Sequence, residues 1–353
     1  MKTVTVGIIG INGKYGQWLK RFFESLGHTV IGSDLNTETT NQSVVEQADV
    51  VIFSVWPSAT AAAIREMISY SRTDQLWLEV TSIKAEPVKA MLASQAEVVG
   101  LHPMCAPTVK TLRGQTVIVC PVRVNKWRSW IMEVLRDSQA TIKLTTPEDH
   151  DHQVAFVQGL PHAAILVMAA VLRRMNVDVS ESLEFTSPFY RIAWGLMGRI
   201  LAQNADLYAN IQMLNPNIPI ILAALEEEIR RFRELVVSKD KDAFLREFGA
   251  SAEHFGQDNC REASTLFDHL NRLMTDLAED NSVMLQAIED HPGILHQISG
   301  ILAEAGINLT SFHSFRAGKG YRFWVGLDRP RKSPEVQAAL KRINEETPAE
   351  LAF

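Results

Sequence analysis

The chain has few cysteines, no excess of basic residues and no long apolar run, and each of these absences argues against a class of protein. Its 353 residues include three cysteines, Cys105, Cys120 and Cys260, which are widely separated and odd in number. They offer neither a disulfide framework nor metal-ligand spacing, which points to a reducing cytoplasm. The formal net charge of −6 argues against a general nucleic-acid binder, since phosphate binding relies on clustered Lys and Arg.

The sequence also lacks a recognisable targeting or membrane segment. Its N-terminus runs directly into a strand-like stretch, and no segment has 18 uninterrupted apolar residues. We therefore expect neither secretion nor a membrane span. What is present is an apolar fraction of 46% with 22% charged residues, which is typical of a globular protein, and a length that suggests two or three domains.

The order of apolar patterns predicts three domains. Over residues 1–146, β-branched runs alternate with helical patterns, which predicts a doubly wound α/β fold of the Rossmann type that binds a dinucleotide. Residues 147–280 have a helical pattern with breaks near Asn176, at Ser187–Phe189 and at 215–219. In residues 281–353 strand-like runs return around a helical one, and AGKG at 317–320 is typical of a hairpin turn, so we predict a small α+β domain. The predicted strands of the first domain are TVTVGIIG, HTVIGSD, ADVVIFSV, LWLEV, AEVVGL and TVIVCP.

A glycine-rich turn lies between the first predicted strand and the first helix. The stretch GIIGINGKYG, residues 7–16, has the context that a dinucleotide-binding turn requires. In a G-x-G-x-x-G register Gly13 and Gly16 take the second and third places, but Ile11 stands in the first, and Gly10 is left to supply the tight turn. A purely structural turn is the alternative. We predict that the cofactor turn consists of Gly10, Ile11, Asn12, Gly13, Tyr15 and Gly16.

An acidic residue follows the second predicted strand. Asp34 lies eighteen residues after Gly16, where a carboxylate can accept hydrogen bonds from both hydroxyls of a ribose. The same charge would repel a 2′-phosphate, and no arginine follows it directly in LNTET. This combination predicts NAD rather than NADP as the cofactor.

Reactive side chains follow two later strands. Ser82 and Lys84 come just after LWLEV, and His102 comes just after AEVVGL, at strand ends where α/β sheets bind ligands. An imidazole titrates near neutrality, so His102 can accept a proton from a hydroxyl that is being oxidised. A buried histidine satisfied by a backbone carbonyl is the alternative.

The helical region contains a second group of polar residues. Arg191 and Arg199 lie eight residues apart in apolar sequence, where each guanidinium needs an anion, either a neighbouring carboxylate or a substrate with two carboxylates. His150 and His152 do not share a helix face, so no metal site is predicted. The apolar stripes of this region predict an interface with a second copy, and hence a homodimer.

Taken together, these residues resemble the prephenate dehydrogenases, specifically the bacterial branch related to the dehydrogenase half of the bifunctional chorismate mutase–prephenate dehydrogenases. The similarity extends over roughly residues 3–256. It is carried by SIK with a following proline, HPM-x-x-P, TPEDHDH and SPFYRIAWGLMGRILAQNADLYANI, and the family's broken glycine pattern matches GIIGINGKYG. The resemblance implies NAD-dependent oxidative decarboxylation of prephenate, a cyclohexadienyl compound, to 4-hydroxyphenylpyruvate in tyrosine biosynthesis.

The resemblance also implies roles for individual residues. His102 would hydrogen-bond the hydroxyl at C4 of the ring and draw off its proton, and Arg199 would hold the ring carboxylate. Arg191 and His162 match positions lining the substrate pocket, while the loop with Ser82 and Lys84 lies between cofactor and substrate. We therefore expect His102 and Ser82 to be catalytic, and the substrate to be bound by Arg199, Arg191, His162 and Lys84.

The last domain resembles an ACT domain, a βαββαβ module that commonly binds amino acids and regulates enzymes of their biosynthesis. The similar segment is SVMLQAIEDHPGILHQISGILAEAGINLTSFHSF. It implies a site for an effector, with tyrosine as the natural ligand, formed by Asp290, Gly293, Leu295 and Asn308. The sequence after the second helix, TPAELAF, predicts a short or absent closing strand, and a structural or dimerising role is the alternative.

Two other functions are compatible with the sequence. A dehydrogenase for arogenate, or for an amino-substituted prephenate, would use the same ring chemistry. A non-catalytic regulatory relative would keep the cofactor fold and the ACT module, but the presence of His102, Arg199 and Asp34 argues against it.

Overall fold

The structure is a computed structural model that describes residues 2–278, 280–287, 289, 291–317 and 320–351. The chain forms two compact units, residues 1–234 and residues 235–353. The first unit contains the predicted nucleotide-binding region and most of the predicted helical region. The predicted domain limits, 1–146, 147–280 and 281–353, stay a prediction.

A seven-stranded sheet forms the centre of the first unit. Its strands are β1 (Thr5–Ile9), β2 (Thr29–Ser33), β3 (Val50–Phe53), β4 (Leu76–Glu79), β5 (Glu97–Pro103), β6 (Thr116–Arg123) and β7 (Thr141–Leu144). The helices between them are α1 (Lys14–Ser25), α2 (Asn41–Gln47), α3 (Pro57–Met67) with a 3₁₀ turn (Ile68–Tyr70), α4 (Ala85–Met91) and α5 (Arg128–Asp137). The strand order is β2-β1-β3-β4-β5-β6-β7. This order places the topological switch point between β1 and β3, where α/β sheets bind nucleotides.

Strand β3 is buried on both faces of the sheet. Val50 and Ile52 join an apolar core with side chains of α1 and α5, whereas Val51 and Phe53 join a second core with side chains of α2, α3 and α4. Because both faces are covered, such strands read as continuous apolar runs in the sequence. The predicted doubly wound α/β fold is therefore confirmed.

The sheet departs from the prediction at its far edge. The sequence pattern predicted β6 as one more parallel strand, but it pairs with β5 in antiparallel fashion, with His102 opposite Ile118. No helix lies between the two strands, and a parallel connection needs a crossover, usually a helical one. The pattern analysis also missed β7, because TIKL at this edge is short and largely exposed.

Helices alone follow β7 in the first unit. They are α6 (Pro147–Val154), α7 (Leu160–Arg174), α8 (Val179–Glu184), α9 (Pro188–Leu201), α10 (Ala205–Leu214) and α11 (Ile218–Ser238), which extends into the second unit. The predicted breaks fall between these helices. Asp178 caps α8 and Ser187 caps α9, each accepting a hydrogen bond from a backbone N–H of the first turn.

A π-helical turn, Ala155–Gly159, joins α6 to α7. A Cβ placed at residue 159 would lie 2.0 Å from Ile218 Cδ1, so the side chain of Ile218 on α11 occupies the space that Gly159 leaves at this turn. A π turn inserts one residue into the helical repeat and changes which face the following side chains occupy.

Large apolar side chains of these helices are exposed in the single chain. On α9, α10 and α11 those more than 60% accessible are Phe189, Leu201, Met213, Ile220 and Val237. By length and composition alone, one helical stretch among the described residues, Pro147–Arg174, is long and apolar enough to cross a membrane, and 22% of its apolar window is buried. Exposed apolar side chains in this number on neighbouring helices are typical of an interaction surface.

The second unit contains two long helices and a four-stranded antiparallel sheet. Its elements are α12 (Lys241–Phe255), α13 (Gln257–Ala278), β8 (Ser282–Ala287), α14 (Ile294–Glu304), β9 (Leu309–Ala317), β10 (Gly320–Leu327), α15 (Pro334–Glu346) and β11 (Ala349–Leu351). The strand order is β11-β8-β10-β9. Ile298 and Leu302 of α14 and Ile343 of α15 pack on Leu285 and Val325 of this sheet.

This sheet confirms the predicted βαββαβ order. The closing strand β11 is present but has three residues, and it pairs with β8 at the edge. The predicted hairpin joins β9 to β10, with Ala317 opposite Gly320. The tip of that turn, residues 318 and 319, lies outside the described residues.

Candidate active site

The glycine turn follows β1 and begins α1. Gly10 has a φ of +89°, and a Cβ there would lie 2.4 Å from Ser54 O, so this position takes the tight turn. A Cβ at Gly16 would lie 2.1 Å from Gly10 O, so Gly16 allows the helix to approach the turn. At Gly13, by contrast, the nearest atom would be 3.4 Å away, and no side chain caps the N-terminus of α1. Helix N–H groups without a side-chain cap, beside a residue that has no side chain of its own, suit a dinucleotide phosphate.

The structure explains why isoleucine occupies the first position of the glycine pattern. Residue 32 is a glycine on β2, and a Cβ there would meet the side chain of Ile11 at 2.3 Å. Ile11 therefore packs over β2 while its backbone N–H, like that of Gly10, donates to Ser33 O. Isoleucine in place of the first glycine therefore adds a packing contact with Gly32, and the backbone hydrogen bonds of the turn are retained.

Asp34 lies beside this turn. Its Oδ2 accepts a hydrogen bond from the backbone N–H of Asn12 at 2.9 Å, and its Oδ1 accepts from Leu35 N–H at 2.8 Å. Tyr15, on the inner side of α1, packs on the core, and burial raises the pKa of its hydroxyl. The turn and the carboxylate predicted to hold a cofactor are thus brought together. The fold and this turn define a nucleotide-binding protein of the Rossmann type.

A buried ion pair lies below the ends of β4 and β5. Lys84 Nζ donates to Glu79 Oε1 at 2.5 Å, and both side chains are fully buried. Glu79 Oε2 also accepts from the backbone N–H of Thr81 at 3.0 Å. A Cβ at Gly100 would lie 3.0 Å from Glu79 Oε1, so the glycine on β5 makes room for the pair. Burial raises the pKa of Glu79, against the effect of Lys84 and Thr81.

This burial of Lys84 differs from the expected substrate contact. The family resemblance implied that Lys84 binds the substrate, but its ammonium is paired with Glu79 inside the sheet layer. A buried ammonium needs a counter-ion, and the strand-end glutamate supplies one. Ser82, two residues earlier, is half-buried and has no hydrogen-bond partner among the described residues.

His102 lies at the end of β5 in contact with a second histidine. Its Nδ1 is 2.9 Å from His150 Nε2, and His150 Nδ1 is 2.8 Å from Asp151 Oδ1. All three side chains are at most 4% exposed. Asp151 Oδ1 and Oδ2 also accept the backbone N–H groups of Lys84 and Ala85 at 2.7 and 2.9 Å. A single carboxylate therefore joins α6 to the loop before α4.

The two imidazoles are held neutral by their surroundings. Burial lowers the pKa of His102 well below its usual range, and the charges of Lys84 and His150 act in the same direction. Burial also lowers the pKa of His150, against the effect of Asp151. Near neutral pH His102 is therefore an uncharged proton acceptor.

A second polar cluster lies among the helices. His162 of α7 and Tyr208 of α10 meet edge to face with ring centroids 5.0 Å apart. Burial raises the pKa of Tyr208, against the effect of the charge of Arg199 on α9. His162 Nδ1 is buried without a hydrogen-bond partner among the described atoms, and burial lowers the pKa of this imidazole.

Both predicted anion-binding arginines lie on α9 without a carboxylate partner. Among the residues that the structure describes, neither the Arg191 side chain nor the Arg199 side chain makes a hydrogen bond or an ion pair, and Arg199 is exposed while Arg191 is half-buried. Guanidinium groups that lack a partner among the described residues suit an anionic ligand.

The two clusters are connected through the π turn. Gln158 Nε2 lies 4.0 Å from the sulfur of Met104, two residues after His102. Gly159 O accepts from Gln212 Nε2 at 2.9 Å, one turn after Tyr208 on α10. A cleft of about 490 Å³ is lined by residues including Glu86, Lys89, Glu148, Asp151 and Pro216 and by none of the predicted cofactor residues.

In the second unit, the predicted effector residues are only partly described. Asp290 lies outside the described residues. Gly293, with a φ of +83°, begins α14, and Leu295 in its first turn is 45% exposed. The amide of Asn308 donates to Asp328 Oδ2 at 3.2 Å and is therefore engaged within the chain.

Sequence analysis missed Glu79, His150, Asp151 and Tyr208. For Glu79 a signal existed, because it ends a strand that is otherwise apolar, and a charge there must be paired. His150 and Asp151 directly follow the acidic first turn of α6, where carboxylates are common for electrostatic reasons, so the line of hydrogen bonds from Asp151 through His150 to His102 left no local signal.

Comparison with known proteins agrees with this arrangement. Residues 27–144 match the family model described as prephenate dehydrogenase, nucleotide-binding domain, residues 146–250 match prephenate dehydrogenase, dimerization domain, and residues 283–345 match the ACT domain. The chain belongs to the prephenate/arogenate dehydrogenase family and carries an ACT domain.

Two curated relatives and one solved structure illustrate the similarity. A probable arogenate/prephenate dehydrogenase of Methanocaldococcus jannaschii is 34% identical over 280 residues, which are 74% of this chain and 63% of the relative. The T-protein of Haemophilus influenzae is 28% identical over 250 residues, 70% of this chain and 66% of the relative. The crystal structure of prephenate dehydrogenase from A. aeolicus in complex with hydroxyphenyl propionate and NAD+ has a TM-score of 0.58 at 20% identity, over 72% of this chain and 99% of that one. The chain thus spans a little under two thirds of the length of these curated relatives, and the structural likeness shows the fold.

Proposed function

We propose that the protein is an NAD-dependent dehydrogenase that converts prephenate to 4-hydroxyphenylpyruvate and carbon dioxide. The observation that carries the proposal is the buried, uncharged imidazole of His102 at the carboxyl edge of the sheet that carries the glycine turn. Its Nδ1 is occupied by His150, which leaves Nε2 as the nitrogen for a substrate hydroxyl.

The residues around the glycine turn suit the proposed cofactor. The space left at Gly13 and the uncapped N–H groups of α1 fit a pyrophosphate, and Asp34 beside Asn12 fits a ribose with a free 2′-hydroxyl. When bound, NAD accepts the hydrogen and the electron pair that leave C4 of the ring. The carboxylate of Asp34 disfavours a cofactor that carries a 2′-phosphate.

His102 has two proton transfers in this reaction. Its Nε2 accepts the proton of the C4 hydroxyl as that carbon is oxidised, since a neutral imidazole supports the developing carbonyl and an imidazolium opposes it. Loss of carbon dioxide then moves an electron pair into the ring and leaves a phenolate oxygen at C4. His102 returns the proton to that oxygen, so the reaction releases no net proton.

The helical cluster supplies the second half of the proposed site. Arg199 binds the carboxylate at C1, and Arg191 and His162 line the pocket around the side chain of the substrate. The absence of a carboxylate partner for either arginine within the described chain supports this assignment. Ser82 lies between the cofactor and the ring, where its hydroxyl is available to His102 or the C4 oxygen.

We further propose that two chains associate through the exposed apolar helices. The name of the matching family model, dimerization domain, and the exposure of Phe189, Leu201 and Ile220 support a homodimer in the cytoplasm rather than a membrane protein. Tyrosine is the proposed effector at the start of α14.

The experiment is an assay of reduced cofactor by absorbance with each combination of prephenate or arogenate and NAD or NADP. Turnover of prephenate with NAD at the highest kcat/KM is expected. Turnover of arogenate but not of prephenate would assign the protein as an arogenate dehydrogenase, the other activity in the name of the Methanocaldococcus relative. Turnover of neither substrate would contradict the proposal. Titration calorimetry with tyrosine, and with phenylalanine as control, tests the effector separately, since absence of heat would reject it.

A further inference from the structure

Three side chains form a line of hydrogen bonds that ends at the proposed catalytic imidazole. Asp151 Oδ1 lies 2.8 Å from His150 Nδ1, and His150 Nε2 lies 2.9 Å from His102 Nδ1. The proton positions in this line are fixed by its first member. Asp151 accepts from Lys84 N–H at the same Oδ1 and from Ala85 N–H at Oδ2, so its carboxylate is an acceptor at both oxygens.

The Asp151 carboxylate determines which ring nitrogen of each imidazole carries the hydrogen. Since Asp151 only accepts, His150 must carry a hydrogen on Nδ1 and, when uncharged, a lone pair on Nε2. That lone pair requires a donor on the other side of the contact, so His102 carries its hydrogen on Nδ1. His102 Nε2 then holds a lone pair, and no other described residue donates to it.

We propose that His150 and Asp151 are positioning residues that hold His102 in the tautomer whose Nε2 accepts the substrate proton. This inference rests on the proposed function only for the identity of the substrate. The opposite tautomer would present an N–H to the hydroxyl and could accept nothing from it. A carboxylate is known to impose a tautomer on one imidazole in this way; here the constraint passes through one imidazole to the next.

The same line of hydrogen bonds stabilises His102 after it has accepted the substrate proton. When His102 has taken up the proton, its Nδ1–H donates to an uncharged acceptor at His150, and charge-assisted hydrogen bonds are stronger than neutral ones. Exchange of His150 for a side chain with no acceptor therefore removes both the tautomer constraint and this support. Exchange for a side chain with an acceptor retains them.

Two variants at one position separate hydrogen bonding from packing. His150→Gln places an amide oxygen where Nε2 was, and His150→Leu fills similar volume without an acceptor. With the substrate that the wild type turns over, His150→Leu is expected to lower kcat about 10- to 100-fold while KM changes less than about twofold. His150→Gln is expected to recover most of this loss. Equal kcat values in the two variants would overturn the proposal.

A measurement on the unmodified chain tests the tautomer without any substrate. Nitrogen chemical shifts of histidine, with selective ¹⁵N labelling and His102→Asn for assignment, distinguish a protonated ring nitrogen from an unprotonated one. We expect His102 to show a protonated Nδ1 and an unprotonated Nε2 in the wild type and in His150→Gln, and a mixture of tautomers in His150→Leu. A protonated Nε2 in the neutral wild type would overturn the inference even if the enzyme acts on prephenate. Failure to turn over prephenate, with the expected shifts, would reject the proposed function and leave the inference standing.

Discussion

Removal of one charge from the Lys84–Glu79 pair is expected to destabilise the first unit strongly. Both side chains are fully buried, with 2.5 Å between Nζ and Oε1. In Lys84→Met the Glu79 carboxyl retains only its bonds with Thr81 and must take up a proton or stay charged without a counter-ion. Breaking a buried pair from one side costs about 3–5 kcal/mol. For a unit of this size the loss lowers Tm by about 6–20 °C.

Removal of both charges tests whether the pair is the cause. In Lys84→Met/Glu79→Gln no buried charge remains, and the amide oxygen at position 79 still accepts from Thr81 N–H. We expect this double variant to lose about 1–2 kcal/mol, the cost of one unsatisfied amide N–H group, and so to be more stable than Lys84→Met. Lys89→Met, an exposed lysine on α4, is the matched control and is expected to change stability by less than about 0.5 kcal/mol.

The assay is urea unfolding of the full chain near neutral pH, followed by tryptophan fluorescence. Six of the seven tryptophans, Trp18, Trp56, Trp77, Trp127, Trp130 and Trp194, lie in the first unit, so the signal reports on it. The reasoning is refuted if the double variant is as unstable as the sum of the two single variants, because the charges would then contribute independently.

Three further predictions concern the site. His102→Asn is expected to cut kcat about a hundredfold or more. Arg199→Ala is expected to raise KM far more than it lowers kcat, because the ring carboxylate that Arg199 binds loses its charge during the reaction. Comparable kcat losses of the two variants in steady-state assays would contradict this division of roles. Gly16→Ala is expected to abolish stable folding of the turn, since its Cβ would lie 2.1 Å from a backbone oxygen. Gly13→Ala is expected to keep the Tm of the free protein but to lose the increase in Tm that NAD gives. Unfolding free energy is expected to fall as pH drops below about 6.5, because His102 and His150 have lowered pKa values in the fold and the unfolded chain then binds more protons. A shallower pH dependence in His102→Asn supports that origin, and an unchanged urea midpoint between about pH 7 and pH 5 would speak against it.

Positions at strand ends could be predicted from the sequence because a parallel sheet gathers them at one edge. Asp34 and His102 follow apolar runs of strand length, so their location at the carboxyl edge needed only the strand pattern and the order of elements. The glycine turn was predictable for the same reason, although the role of Ile11 depended on Gly32 in the neighbouring strand, which only the sheet register reveals.

Contacts that depend on how the helices cross could not be predicted in this way. His150 lies 48 residues from His102, and its approach depends on the angle at which α6 leaves the sheet. The antiparallel direction of β6 likewise follows from the lack of a crossover helix between β5 and β6, and not from any feature of the strand's own sequence, TVIVCP. Local pattern and composition describe elements, whereas long-range packing selects their partners.

Asp151 joins the loop before α4 to the start of α11. Its carboxylate holds the backbone of the loop before α4, and its carbonyl accepts the amide of Asn215, just before α11, at 2.7 Å. One residue of α6 therefore contacts both the loop that precedes α4 and the residue that precedes α11. A substitution at Asp151 is for this reason expected to affect the backbone of that loop as well as the imidazole of His150.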